Sequence, residues 1–173
     1  MFGQPEAAAA AKLFIVTAGE SAALAHCEPL FAALGQRTFT IGKRPADADL
    51  VKLSGNFRIA AVIESLGEAL ALAAKAGIDR RQYLEILTST LFTAPVQRTY
   101  GELIVAGKTK PAGCTAPLGF EDVSPALAAA EQLRAPLPLA SLLRDRFLRL
   151  LAAGDPEEDW STIAQLAARD AGL

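Results

Sequence analysis

The sequence predicts a mostly α protein, in which a short βαβ unit precedes an all-α bundle. Three observations carry that prediction. Residues 47–77 (DADLVKLSGNFRIAAVIESLGEALALAAKAG) are apolar over most of a helical circumference and would reach over about 40 Å at helical rise. A helix of that kind is normally enclosed by other helices. Ahead of it lie two short β-branched runs, residues 13–17 (LFIVT) and 37–41 (RTFTI), separated by a helical pattern. Behind it every periodic segment reads as helix, so no later strand is expected to widen the sheet.

Composition sets the outer bounds. The chain has 173 residues, 51% of them hydrophobic, and a net charge of −2, which is enough apolar material for the core of one globular domain or slightly more. A near-neutral balance with 6% aromatics gives no electrostatic footprint for nucleic acid. Cys27 and Cys114 do not make a disulfide framework, and His26 alone cannot build a histidine-rich metal site, so no metal is expected. No apolar run reaches membrane-spanning length without a charge or a breaker. The first residues, MFGQPEAAAAAKLF, lack the basic start and apolar core of a signal peptide. A cytoplasmic protein without membrane partners is the expectation.

In chain order, the alanine run 7–11 reads as a short helical turn, and residues 13–17 as a buried strand closed by Ala18 and Gly19. Residues 20–34 have helical periodicity, interrupted at Pro29 and stopped by Gly35. The second strand, 37–41, ends at Gly42. Two strands do not make a stable buried sheet alone, so this unit has the look of a remnant of a larger sheet. The long helix stops at Gly77; Asp79 is an N-cap for residues 80–90, Pro95 a first-turn residue for 96–105, and Gly107 its stop. Residues 108–116 form a loop. A helix over 117–133 follows, with Pro125 as a kink or a first-turn residue. Residues 138–153 are strongly amphipathic, and 160–171 close the chain after an acidic loop, with Trp160 as an anchor into the bundle. There is no internal repeat.

The long helix holds the one chemical anomaly. At about 100° per residue, Asn56 lies one turn after Lys52, and the same face continues through Ile59, Ala60, Ile63 and Gly67 without further charge. Glu64, Glu68 and Lys75 fall on a separate stripe that reads as a solvated edge. Two readings of Lys52 stand side by side. Its stem can snorkel along apolar neighbours with the ammonium in water. Alternatively a semi-buried cleft lowers its pKa toward neutrality and makes it a general acid or base, with Asn56 presenting an amide to the same substrate. Spacing does not decide between them.

Other candidates have plainer explanations. No G-x-G-x-x-G or P-loop is present, and no G-x-S-x-G. His26 reads as structural or surface. Glu121 and Asp122 are either paired carboxylates or acids near a helix start, favoured by its dipole. Arg144, Arg146 and Arg149 read as the wet face of an amphipathic helix, and Cys114 as an inert loop thiol.

Lys52 and Asn56, placed after strand, helix, strand and Gly42, make the chain resemble the C-terminal part of the β-hydroxyacid dehydrogenases. That family includes the 3-hydroxyisobutyrate, tartronate semialdehyde, γ-hydroxybutyrate and 6-phosphogluconate dehydrogenases. The resemblance implies a remnant of a Rossmann-type NAD(P)-binding domain over residues 1–44. It also implies an all-α dehydrogenase bundle around a long interdomain helix, for substrate binding and dimerisation, over 45–173. Lys52 (LVKLSGNF) and Asn56 match the family's K-x-x-x-N signature, in which the lysine is the general acid/base and the asparagine positions the substrate. Of the Ser-Gly-Gly that binds substrate in many members, this chain has Phe2-Gly3-Gln4, so Gly3 alone carries over. A cofactor-contacting lysine is replaced by Glu121 before Asp122, and a phenylalanine eight residues before that aspartate by Cys114. The usual glycines before the long helix are replaced by Arg44-Pro45-Ala46-Asp47. Imine reductases share the architecture but usually lack the lysine. NAD or NADP is the cofactor implied for the complete enzyme and a small hydroxy acid its substrate. Cofactor-binding residues are not assignable. Because the dinucleotide fingerprint is absent, this chain alone is expected to bind no cofactor tightly and to be inactive. A homodimer is expected. The rival reading is a non-catalytic helical dimerisation module without a cofactor domain.

Overall fold

A computed structural model describes residues 1–3 and 5–173; Gln4, the last residue of the Phe2-Gly3-Gln4 segment, lies outside them. In chain order the elements are α1 (Pro5–Ala9), β1 (Leu13–Ala18), α2 (Ser21–Leu34), β2 (Gly35–Gly42), α3 (Pro45–Lys75), α4 (Arg80–Ser89), α5 (Pro95–Ala106), α6 (Ala116–Leu133), α7 (Pro138–Ala153), a 3-10 turn (Trp160–Thr162) and α8 (Ile163–Asp170). They form two compact units, Met1–Gly55 and Asn56–Leu173, with α3 contributing to each. The expected mostly helical chain with a small parallel sheet is what is found.

In the first unit β1 and β2 pair in parallel, with Ile15 opposite Thr38 and Val16 opposite Phe39, and α2 makes the crossover. Leu13, Ile15 and Thr17 are buried while Phe14 is exposed, the alternation of a strand covered on one face. The Thr17 and Thr40 hydroxyls lie 3.0 Å apart and tie the strands through their side chains. One expectation fails here: α2 is not interrupted at Pro29 but runs through it. A proline removes one N–H from the helical ladder. None of the α2 residues is buried, so water can serve the carbonyl left over.

The second unit packs helices around the Asn56–Lys75 part of α3. Ala60, Ile63, Leu66 and Leu70 from α3 join Leu84, Ile104, Val123, Leu143, Phe147 and Ile163 in one core. Local signals set the helix ends as read. Asp79 Oδ1 accepts the Gln82 N–H at 2.8 Å, and Gly107 closes α5 in the left-handed region. Pro125 lies inside α6 rather than in its first turn. Trp160 anchors the end of the chain: it is buried, and its indole N–H donates to the Tyr100 hydroxyl at 3.0 Å. Burial there pushes the Tyr100 phenol up to about 12. Asp159 fastens the same corner by accepting the N–H groups of Gly113, Cys114 and Ser161.

Two polar readings are overturned. Glu64 is not on a solvated edge; it is 3% exposed. Nor is Arg146 part of a wet face: its Nε lies 2.6 Å from Glu64 Oε1, as an ion contact outside hydrogen-bond geometry. On α7 Arg146 sits one turn from Leu143 and Leu150, both buried, so the helix turns it inward with its apolar stripe. Its Nη1 reaches Asp170 of α8 at 2.9 Å, and Arg149 holds the same carboxylate. One ion chain thus joins α3, α7 and α8.

Burial raises the Glu64 carboxyl from its ordinary 4.5 to about 7, with help from Glu68 and Asp170 and against the pull of Arg146. The folded protein therefore holds this proton more tightly than the unfolded chain. The stability it contributes is complete below about pH 4.5 and lost as pH rises to about 7. Asp170, held down to about 2 by Arg149 and Arg146, acts below that window. Denaturant midpoints should fall between about pH 4.5 and about 8 in the wild type, and much less in Glu64→Gln.

Candidate active site

The start of α3 explains how Lys52 is presented. Pro45 is the first helical residue, where its missing N–H costs nothing. Asp47 lies in the first turn, favoured by the dipole. Arg44 clasps it with two hydrogen bonds, Nε to Oδ2 at 3.2 Å and Nη2 to Oδ1 at 2.7 Å. The residues that replace the family's glycines thus build a helix start, two residues earlier than periodicity alone indicates. Lys52 follows on α3 and is half-buried.

The Lys52 ammonium lies 5.0 Å from the centroid of the Phe2 ring, within cation–π range. Phe2 is itself fixed. Its N–H donates to the Phe14 carbonyl at 2.8 Å, and the Phe14 N–H returns a bond to the Phe2 carbonyl at 3.0 Å. This isolated antiparallel bridge sets Phe2 beside β1. On α3 the ring lies against Gly55, where any Cβ would overlap it. Gly3 follows with φ +141°, and a Cβ there would come within 2.6 Å of Leu13 Cδ2. Its backbone is one that only glycine adopts without strain. The place of Phe2 beside Lys52 was not legible in the sequence, because it depends on a distant pairing with Phe14.

Asn56, one turn after Lys52 on the same helix, is 5% exposed. Its depth agrees with the packing face read from periodicity, where Ala60 and Ile63 are fully buried. The remaining candidates fall elsewhere. Glu121 and Asp122 are the sixth and seventh residues of α6, beyond its first turn, so the dipole does not account for them. His26 is exposed on α2. Cys114 is partly buried against the helical core, with its N–H given to Asp159. Among the described residues no group of three metal-ligating side chains occurs.

The turn between β1 and α2 is where a parallel unit could offer amides to a phosphate. Here Gly19 spends its N–H on the Gly42 carbonyl at 3.0 Å. The N-cap position of α2 is Glu20, whose exposed carboxylate stands 4.0 Å from Lys43. An acid at that position repels an anion.

Comparison with known proteins gives a consistent result. Residues 46–167 match the family described as "NAD-binding of NADP-dependent 3-hydroxyisobutyrate dehydrogenase". The chain is 37% identical over 163 residues to the oxidoreductase YfjR of Bacillus subtilis, covering 94% of this chain and 57% of that protein. It is 28% identical over 153 residues to the 2-hydroxy-3-oxopropionate reductase of Escherichia coli, covering 88% and 52%. Its fold superimposes on the crystal structure of a 3-hydroxyisobutyrate dehydrogenase (ygbJ) from Salmonella typhimurium with a TM-score of 0.86 and 25% identity, over 95% of this chain and 57% of that one. The chain thus spans little more than half the length of these relatives.

Gly3→Ala should release the Phe2–Phe14 bridge, at a cost of about 1–3 kcal/mol for the backbone strain it introduces. Hydrogen exchange would report this as faster exchange of both the Phe2 and Phe14 amides, with the second unit unaffected.

Proposed function

The chain belongs to the 3-hydroxyisobutyrate dehydrogenase family of β-hydroxyacid dehydrogenases, and from that premise we propose that it is the substrate-side part of an NAD(P)-dependent oxidoreductase acting on a small hydroxy acid or its carbonyl form. The observation that carries this reading is the pairing of half-buried Lys52 with buried Asn56 on successive turns of α3, at the start of the region that matches the family. Lys52 would exchange the proton of the substrate hydroxyl as general acid/base. That role requires the amine within about 3 Å of the oxygen, or joined to it by one bridging water. The Asn56 amide can both donate and accept, which suits it to hold a substrate carrying hydroxyl and carbonyl forms in turn. Gly3 would line the substrate through its backbone.

NAD(P), the family's cofactor, would supply the hydride acceptor or donor when bound. The described residues do not fit its pyrophosphate, because the β1–α2 turn presents Glu20 and a spent Gly19 amide. We assign residues 1–44 to part of a Rossmann-type domain and residues 45–173 to the substrate and dimerisation domain. Turnover would require a pyrophosphate cradle from outside this chain, and the chain by itself would be inactive. Exposed apolar side chains on the helical unit, such as Leu72 and Leu91, support a homodimer. A reducing, cytoplasmic setting agrees with the two free cysteines; among the described residues no helix is long and apolar enough to cross a membrane.

Two measurements test the reading. In a protein joining this chain to a dinucleotide-binding domain, Lys52→Ala should lower kcat on the hydroxy acid by about 10² or more; a near-normal kcat overturns the assignment. Calorimetric titration of this chain with NADH and NADPH should give binding no tighter than millimolar, and micromolar binding would show that it holds a cofactor site of its own.

A further inference from the structure

A general acid/base is useful only if its nitrogen is held where the proton passes to or from the substrate. A lysine is poorly suited to that by itself, since its flexible four-carbon stem samples many rotamers. Something must choose one rotamer. Resting on the reading of Lys52 as general acid/base, we propose that Phe2 is the positioning residue for Lys52, and that Gly55 is the seat that holds the Phe2 ring in place.

Three observations combine. The ring face lies 5.0 Å from the Lys52 ammonium, so its quadrupole attracts the charge. The ring cannot swing away with its backbone, because Phe2 is hydrogen-bonded to Phe14 in both directions and followed by Gly3 in a conformation reserved for glycine. It already fills the space above Gly55, where a Cβ would overlap Cε1 and Cζ of the ring, so displacement along the helix would take it off the one bare position and against side chains. Lys52 and Gly55 are three residues apart on α3, so both lie on the flank that the ring covers. The aromatic side chain thus touches a bare turn of helix backbone and the charge one turn before it. An aliphatic residue at position 2 would fill the seat but offer no face to the ammonium.

The test is direct and needs no cofactor. Reductive methylation of the chain with ¹³C-formaldehyde labels each lysine nitrogen and preserves its charge, and the Lys52 signal is identified by its loss in Lys52→Arg. The Lys52 dimethyl protons should resonate upfield of those of the other lysines, because they lie over the Phe2 ring. Phe2→Leu should return them to the common position, and Phe2→Trp should keep the upfield shift. Gly55→Ala should abolish it with Phe2 still present, which separates loss of the seat from loss of the bridge. An unshifted Lys52 signal in the wild type, or one unchanged in Phe2→Leu, overturns the proposal. In the cofactor-bearing protein, Phe2→Leu should lower kcat several-fold with little change in KM, and Phe2→Tyr should restore it. A normal kcat in Lys52→Ala would instead sink the acid/base reading and leave the ring contact standing.

Discussion

A helix that is apolar around most of its surface must be enclosed, and the enclosure of α3 is the constraint on which the helical unit depends. Ala60 and Ile63 have no exposed surface at all, and helices from every later part of the chain contribute to the core around them. Each buried methylene there is worth about 0.8 kcal/mol, so the core far outweighs any single polar contact in the unit. That surplus is what permits Glu64 to sit among apolar neighbours. A buried carboxylate is costly unless paired, and Arg146 limits the cost without removing it, as the raised pKa shows.

The same helix does different work at its two ends. From Asn56 onward it is committed to packing, with polar side chains kept outside except for Asn56 and Glu64. Its start, up to Gly55, belongs to the strand-bearing unit and carries Lys52 beside the Phe2 ring. A rigid helix is a precise carrier for a reacting group, because its backbone cannot relax around the side chain in the way a loop can. The positions of Lys52 and Asn56 on one element fix their separation by helical geometry alone.

What could be read from the sequence follows the range of the signals. Strand, helix, strand and the long helix were legible because periodicity is local, and so were the Asp79 cap, Pro95 and Gly107. Pro29 misled because an exposed helix tolerates a missing rung. Glu64 and Arg146 were misread for another reason: each taken alone has the spacing of a surface charge, and only their meeting across two helices buries them. At the site, the K-x-x-x-N spacing was visible and gained meaning from the elements before it. Phe2 was invisible in that role, since its place over Lys52 depends on a pairing with Phe14 and on a missing side chain at Gly55. Long-range register is not encoded in any short window.

The corner built from Trp160 and Tyr100 has a practical side. The chain has a single tryptophan, and it is enclosed in the helical unit with its indole N–H bonded and its ring edge-on to Tyr100 at 5.9 Å. Intrinsic indole emission is therefore a spectroscopic label that the molecule already carries, and it reports on one unit only. Opening of the helical core must change it, while rearrangement of the strand-bearing unit, which has no tryptophan, leaves it silent. The two halves of the molecule can be followed separately, by colour in one case and by exchange or resonance in the other.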